Sequence, residues 1–251
     1  MNTSKVIIVT GGASGIGYTF ARHLMQNGHR LVVADLKGAE EAAERLVSEE
    51  GGEAIGVQAD VVNALEVRDM VEKTVDRYGA LDALVNNAGL FTTLALRPFD
   101  QIPDDEWMRV MQVNTLGPFI CAKAVVPIMR KQSSGRIINI ASTVPMKGPP
   151  NMAHYAASKG AVISFTRSLA RELGANNITV NAIAPGFTLS EGVLSNDLHS
   201  QMGDVTRKLS RSIQRDQVPE DLVGVLAFLV SDAAGFITGQ TIAVDGGSVF
   251  L

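Results

Sequence analysis

The chain has 251 residues and a formal net charge of −4. Hydrophobic residues make up 46% and charged residues 19%, an ordinary globular balance that can bury a large core. It has no basic excess suited to nucleic acid or an anionic membrane, no apolar run of the roughly 18–20 residues a membrane span needs, and one cysteine, Cys121, which excludes an intrachain disulfide.

Residues Met1–Lys5 lead straight into an apolar run, with neither the long apolar stretch nor the cleavage site of a secretion signal. A cytoplasmic enzyme is expected. Val6–Thr10 reads as a strand and Gly15–Gly28 as a helix ended by glycine. Leu31–Asp35 is a strand, Ala39–Gly51 a charged amphipathic helix, Ala54–Ala59 a strand and Ala64–Tyr78 a helix ended by Gly79. Leu81–Asn86 is a strand, followed by a loop through Pro98. Asp104–Lys131 reads as one long helix with a tolerated bend near Gly117-Pro118, and its apolar neighbours make Cys121 a buried small hydrophobe. Arg136–Ala141 is a strand, Met152–Gly174 a long helix and Ile178–Ile183 a strand. Glu220–Ser231 is a helix, and Thr241–Val244 a last short strand.

The strands are nearly continuous apolar runs, as expected for a parallel sheet covered on both faces. Their alternation with helices predicts right-handed crossovers. The fold class is α/β: one Rossmann-fold domain over residues 1–251, with a doubly wound parallel sheet of about seven strands flanked by helices. The stretch 185–218 is too long for an ordinary connection. A substrate lid is expected over about 186–215.

Gly11, Ser14, Gly15, Ile16 and Gly17 lie in the turn between the first strand and first helix. Glycines there allow a tight turn and close backbone approach to a pyrophosphate, at a helix N-terminus whose free N–H groups favour an anion. Asp35 ends the second strand, where a carboxylate accepts hydrogen bonds from ribose hydroxyls and repels a 2′-phosphate. No arginine sits in the glycine turn, and Lys37 reads as a solvated turn lysine. The expected cofactor is therefore NAD rather than NADP.

Tyr155 and Lys159 stand at i and i+4 of a helical stretch, which places a phenol and an ammonium on one face. A phenol titrates near 10, and a cation held close lowers that value and makes it a usable base. His154 precedes Tyr155 but points about 100° away around the helix, so it reads as a packing or rim residue. His23, His29, His154 and His199 show no metal-ligand spacing, and no metal is expected.

With these residues in place the chain resembles the short-chain dehydrogenase/reductase family over its whole length. The resemblance rests on Thr10–Gly17, Asp60-Val61, Asn86-Asn87-Ala88-Gly89, Asn114, Ser142, Tyr155 with Lys159, Asn181, Pro185-Gly186, and Thr238-Gly239 through Asp245-Gly246-Gly247. It implies an NAD-dependent enzyme, and the C-terminal half looks most similar to bacterial dehydrogenases of secondary alcohols such as 1-phenylethanol, or of pyridoxal. By resemblance, Asp60 and Val61 hold the adenine. Asn86, Asn87, Ala88 and Gly89 line the cofactor path. Ser142 orients the substrate oxygen and Tyr155 is the general acid/base. Lys159 holds the nicotinamide ribose, and Asn114 holds a water of a proton relay. Pro185, Gly186 and Thr188 cover the nicotinamide. A homotetramer is implied, with Asp104–Lys131 and Met152–Gly174 in one interface, and Glu220–Ser231 with Thr241–Val244 in the other.

The substrate pocket is expected from 90–96, 143–152 and the lid. Val144, Met152 and Phe187, with Phe91, Leu94, Met146, Pro149, Leu189, Leu194 and Met202, make it mostly apolar, which suits a medium-sized hydrophobic or aryl alcohol or ketone. The basic run Arg207, Lys208, Arg211 and Arg215 reads as a solvated or subunit-facing side, with a grip on an anionic substrate as its functional alternative. Two rival functions share the fold: a 3-oxoacyl-[acyl-carrier-protein] reductase, which the resemblance associates with NADPH, and a non-catalytic NAD-binding regulator.

Overall fold

A computed structural model describes residues 4–196 and 210–250. Met202, His199, Arg207, Lys208 and the middle of the expected lid lie outside the described residues. Seven parallel strands form one sheet in the order β3-β2-β1-β4-β5-β6-β7. They are β1 (Val6–Thr10), β2 (Arg30–Asp35), β3 (Ala54–Gln58), β4 (Ala83–Asn86), β5 (Gly135–Ile140), β6 (Ile178–Pro185) and β7 (Thr241–Val244). The helices are α1 (Gly15–Gln26), α2 (Ala39–Glu50), α3 (Ala64–Tyr78), α4 (Asp104–Met111), α5 (Gly117–Gln132), α6 (Val144–Lys147), α7 (Ala153–Leu173), α8 (Glu191–Leu194) and α9 (Glu220–Val230).

The two-residue period of a strand divides its side chains between two cores. Ile8, Val32, Leu84, Ile137 and Val180 face α3, α5 and the end of α7. Ile7, Val9, Val33, Val85 and Ile138 face α1, α2 and α9. Every residue of β1, β4, β5 and β6 is buried, which is why those strands read as continuous apolar runs, whereas edge strand β7 is only half-buried.

The expected single helix over 104–131 is interrupted earlier than Gly117-Pro118. Residues Gln112–Leu116 form a π-helical turn between α4 and α5. Single π turns are frequent at functional sites. This one carries Asn114, and the Thr115 hydroxyl bonds back to the Met111 carbonyl.

Asn86, expected along the cofactor path, instead turns into the sheet. Its Nδ2 donates to Oδ1 of Asn139, its register partner on β5, at 2.9 Å. Asn139 Nδ2 donates to the Thr166 hydroxyl of α7 at 2.9 Å, and that hydroxyl donates to Val162 O at 2.8 Å. Asn139 and Thr166 are wholly buried. Asn181 is likewise structural, donating to Ile237 O at 2.8 Å and accepting from Gln240 N at 3.1 Å. Truncating Asn139 strands polar atoms in a dry layer, so Asn139→Ala should cost about 2–4 kcal/mol in urea unfolding, with an unchanged m-value.

Candidate active site

A cavity of about 500 Å³ opens at the C-terminal ends of the central strands. This is where open parallel sheets hold ligands, at the point where the strand order reverses between β1 and β4. One cavity brings together Gly11, Ser14, Gly15, Ile16, Gly17, Asp35, Asp60, Val61, Asn87, Ala88, Gly89, Ser142, Val144, Met152, Tyr155, Lys159, Pro185, Gly186, Phe187 and Thr188. Asn114 is outside its lining, and so are Asn86, expected along the cofactor path, and Leu94, Met146, Leu189 and Leu194, expected in the substrate pocket.

The turn from β1 into α1 is set by close approach. A Cβ on Gly17 would lie 1.9 Å from the Gly11 carbonyl oxygen, so α1 can come this near the turn only with glycine. Gly11 has φ +62°, a left-handed conformation that glycine adopts without strain. Asn87 ties β4 to this turn: its Nδ2 donates to Thr10 O at 3.0 Å and to Gly11 O at 2.9 Å. The Thr10 hydroxyl accepts from Asn87 N at 3.1 Å and Ala88 N at 3.2 Å. Asn87 is thus as much a brace of the turn as part of the cavity wall. The Thr10 brace was not legible in the sequence.

These residues fit a dinucleotide. Ser14, at the N-terminus of α1, makes no side-chain cap, so the first-turn N–H groups stay available for an anion. Asp35 is oriented by two backbone donors, Ala13 N at 3.0 Å on Oδ2 and Leu36 N at 2.8 Å on Oδ1. A carboxylate has about four lone-pair sites, so acceptor capacity remains for ribose hydroxyls.

The proton-handling end is drier than the spacing alone implies. Tyr155 and Lys159 are 7% and 6% exposed. Burial pushes the Tyr155 phenol up to about 12, against a smaller downward pull from its hydrogen bond with Ser142. Burial pushes the Lys159 ammonium down to about 8. The expectation that Lys159 depresses the phenol is therefore corrected: desolvation dominates both groups. Lys159 Nζ lies 5.9 Å from the centre of the Tyr155 ring and donates to Ile140 O at 2.7 Å. Ser142 Oγ accepts from Val144 N at 3.1 Å, which fixes it beside the phenol.

Asn114 acts on the backbone of the loop after β4. Its Oδ1 accepts from Leu90 N at 2.7 Å, and its Nδ2 donates to Leu90 O at 3.2 Å and to Ser158 Oγ at 3.1 Å. This pairing holds the loop like a short strand. On that loop the Phe91 ring lies 5.0 Å from the Tyr155 ring, tilted at 45°, and 6.4 Å, edge-on, from Phe187. These aromatic contacts, and the rim cations Arg109 and Lys147, were not singled out from the sequence. Arg109 stands one turn before Val113, which shares the lining, and that spacing was the available signal.

The two described residues of the basic run, Arg211 and Arg215, have partners within the protein. Arg211 is 7% exposed and donates to the carbonyls of Arg215, at 3.1 Å, and Phe187. Arg215 pairs with Asp221 at 2.6 Å.

Burying an amine near an aromatic wall costs stability. Lys159 titrates below its unfolded value of 10.5, so the native state loses stability as pH falls from 10.5 through about 8 and bears the full cost at pH 7. Lys159→Met should therefore melt about 2–6 °C above the parent at pH 7, with the gap narrowing as pH rises to 10 in thermal scans, while losing activity.

A family model described as enoyl-(acyl carrier protein) reductase matches residues 11–249. The chain is 42% identical to the 3-oxoacyl-[acyl-carrier-protein] reductase of Synechocystis sp., across 98% of each chain. It is 40% identical to the reductase of the same description from Staphylococcus aureus, across 98% of this chain and 99% of that one. Among solved structures, NAD+-bound xylitol dehydrogenase superposes with a TM-score of 0.87 at 33% identity, covering 97% of this chain and 98% of that one. Levodione reductase superposes with a TM-score of 0.91 at 30% identity, covering 98% of both. With the sheet order, the glycine turn and the Ser142–Tyr155–Lys159 cluster, these matches make the chain a member of the short-chain dehydrogenase/reductase family, an oxidoreductase that uses a nicotinamide cofactor and acts on CH–OH groups.

Proposed function

We propose that this protein is an NAD-preferring oxidoreductase of a secondary alcohol and its ketone, with a 3-oxoacyl thioester on acyl carrier protein as the best-supported substrate class. The observation that carries the reaction type is the convergence of Tyr155, Ser142 and Lys159 in the cavity that also contains the glycine turn. The substrate class is supported by whole-length relatives described as 3-oxoacyl-[acyl-carrier-protein] reductases, which favour it over the aryl-alcohol reading.

The bound nicotinamide would supply or accept the hydride. Gly11, Gly15, Ile16 and Gly17 would receive the pyrophosphate, and Asp35 the adenosine ribose. Asp60 and Val61 would hold the adenine, while Ala88, Gly89, Pro185, Gly186 and Thr188 would enclose the nicotinamide half. Ser142 would donate to the substrate oxygen and orient it. Tyr155 would give that oxygen a proton in reduction and take one in oxidation. Lys159 would hold the nicotinamide ribose, and its positive charge favours the phenolate once the site is filled. A phenol held near 12 is protonated at neutral pH, which suits reduction of a ketone. Asn114 would keep the substrate loop in register and support the proton relay.

NAD is preferred in this reading because Asp35 meets the ribose with a carboxylate and no arginine lies in the turn. A second substrate reading, a compact hydrophobic or aryl alcohol, is favoured by the Phe91, Phe187 and Tyr155 rings. A cytoplasmic homotetramer completes the proposal. Its assembly is supported by half-buried edge strand β7 and by exposed Leu116, Phe119 and Phe228 on helical faces.

Two measurements test this. Acetoacetyl thioesters and acetophenone, each assayed with NADH and NADPH, should show at least about 30-fold higher kcat/KM with NADH, and Asp35→Ser should narrow the gap about tenfold or more; an NADPH preference would refute the cofactor assignment. Tyr155→Phe should lower turnover about 10²–10⁴-fold with NADH still bound, and alcohol oxidation by the parent should rise steeply between pH 7 and 10. Undiminished turnover in Tyr155→Phe would exclude the phenol as acid/base.

A further inference from the structure

One buried titratable group has no part in that chemistry. His154, in the first turn of α7, is 1% exposed. Its Nε2 lies 3.3 Å from Oε1 of Glu106 on α4. The other carboxylate oxygen, Oε2, lies 3.5 Å from Nη2 of Arg97, in the loop after β4. Arg97 N in turn donates to Asn151 O at 3.2 Å, just before α7. One carboxylate therefore touches both the loop that carries Phe91 and the helix that carries Tyr155.

The contact is close but poorly aligned: neither ring nitrogen of His154 nor Oε1 of Glu106 makes a well-formed hydrogen bond to any described residue. A buried imidazole in that condition is expensive, and a phenyl ring of similar volume would fill the space at lower cost. Stability alone does not account for it. What the contact does accomplish is geometric. Arg97 follows Phe91 in the loop after β4, and His154 precedes Tyr155 in the first turn of α7, so the Arg97–Glu106–His154 contacts link the segment that carries Phe91 to the helix that carries the phenol. The Phe91 and Tyr155 rings lie 5.0 Å apart between centres. Asn114 pins the loop at Leu90, and Glu106 pins it at the other end, beyond Phe91.

We propose that Glu106 is a positioning residue: by holding Arg97 and His154 at once, it fixes the substrate loop against the first turn of α7 and sets the fit of the substrate beside Tyr155. Glu106 touches neither the cofactor region nor the reacting oxygen. Its loss should therefore loosen substrate binding without weakening the cofactor. The kinetic part rests on the alcohol/ketone reading above; the structural part does not.

The test compares the full-length parent with Glu106→Gln, which keeps the shape and removes the charge, and His154→Gln, whose amide keeps a polar group against the carboxylate. In hydrogen–deuterium exchange, Glu106→Gln should speed exchange about fivefold or more in residues 90–98 and 151–156 while the strands stay unchanged. In steady-state reduction of a ketone its KM should rise about 5–20-fold with kcat reduced less than about threefold. The NADH dissociation constant, read by transfer from Trp107, the single tryptophan, should stay within about twofold. His154→Gln should recover KM to within about threefold of the parent. Unchanged exchange in Glu106→Gln overturns the proposal, and so does a KM rise matched by equal loss of NADH binding, which marks general destabilisation. A parent that reduces no ketone refutes the proposed function instead, and the exchange result then decides the role of Glu106 by itself.

Discussion

The site depends on one close approach, that of α1 and β4 to the turn after β1. The Gly11 carbonyl occupies the volume a Gly17 side chain would need, and Asn87 reaches across from β4 to bond both Thr10 and Gly11. Because the strand order reverses between β1 and β4, the following helices leave on opposite faces and a crevice remains above their ends. The turn forms the floor of that crevice. Its rigidity places an uncapped helix N-terminus and the Asp35 carboxylate at the same end of one cavity.

At the other end the governing term is desolvation. Tyr155 and Lys159 are buried with few polar neighbours, and each is driven toward its neutral form. At neutral pH the phenol keeps its proton, and the amine keeps its charge at a cost in folding stability. The Ile140 carbonyl gives the Lys159 head one fixed acceptor meanwhile. The parallel strands supply this environment: β5 and β6 are buried throughout, and their ends deliver Ser142 and Pro185 to a wall that water reaches poorly. The same dryness that makes the pair costly to fold makes its electrostatics strong once substrate and cofactor are in place.

Positioning falls to backbone ties outside the reacting groups. The π turn swings Asn114 onto Leu90, and Arg97 and Glu106 hold the far end of the same loop, so Phe91 arrives against the phenol from a segment without regular structure. On the opposite side Arg211 holds the Phe187 carbonyl. The aromatic slot is thus assembled from two loops, each fastened by side-chain-to-backbone bonds.

Element order, the parallel sheet and the glycine turn were legible in the chain itself, because strand and helix periods and glycine punctuation are local signals. So was the i, i+4 placement of Tyr155 and Lys159, since helical geometry alone dictates it. Local signals do not report which residues meet across the fold. Asn86 and Asn87 are neighbours in sequence, yet one is spent on β5 and the other on the turn after β1, because β4 lies between those two strands and ends at Asn86. The π turn, the burial that outweighs Lys159 at the phenol, the commitment of Arg211 to two carbonyls and the Arg97–Glu106–His154 chain all arise from contacts distant in sequence. The sequence by itself determined the architecture and the reactive groups; tertiary structure alone decided their protonation and spacing, because both are set by which neighbours exclude water and which backbone groups lie within hydrogen-bond reach.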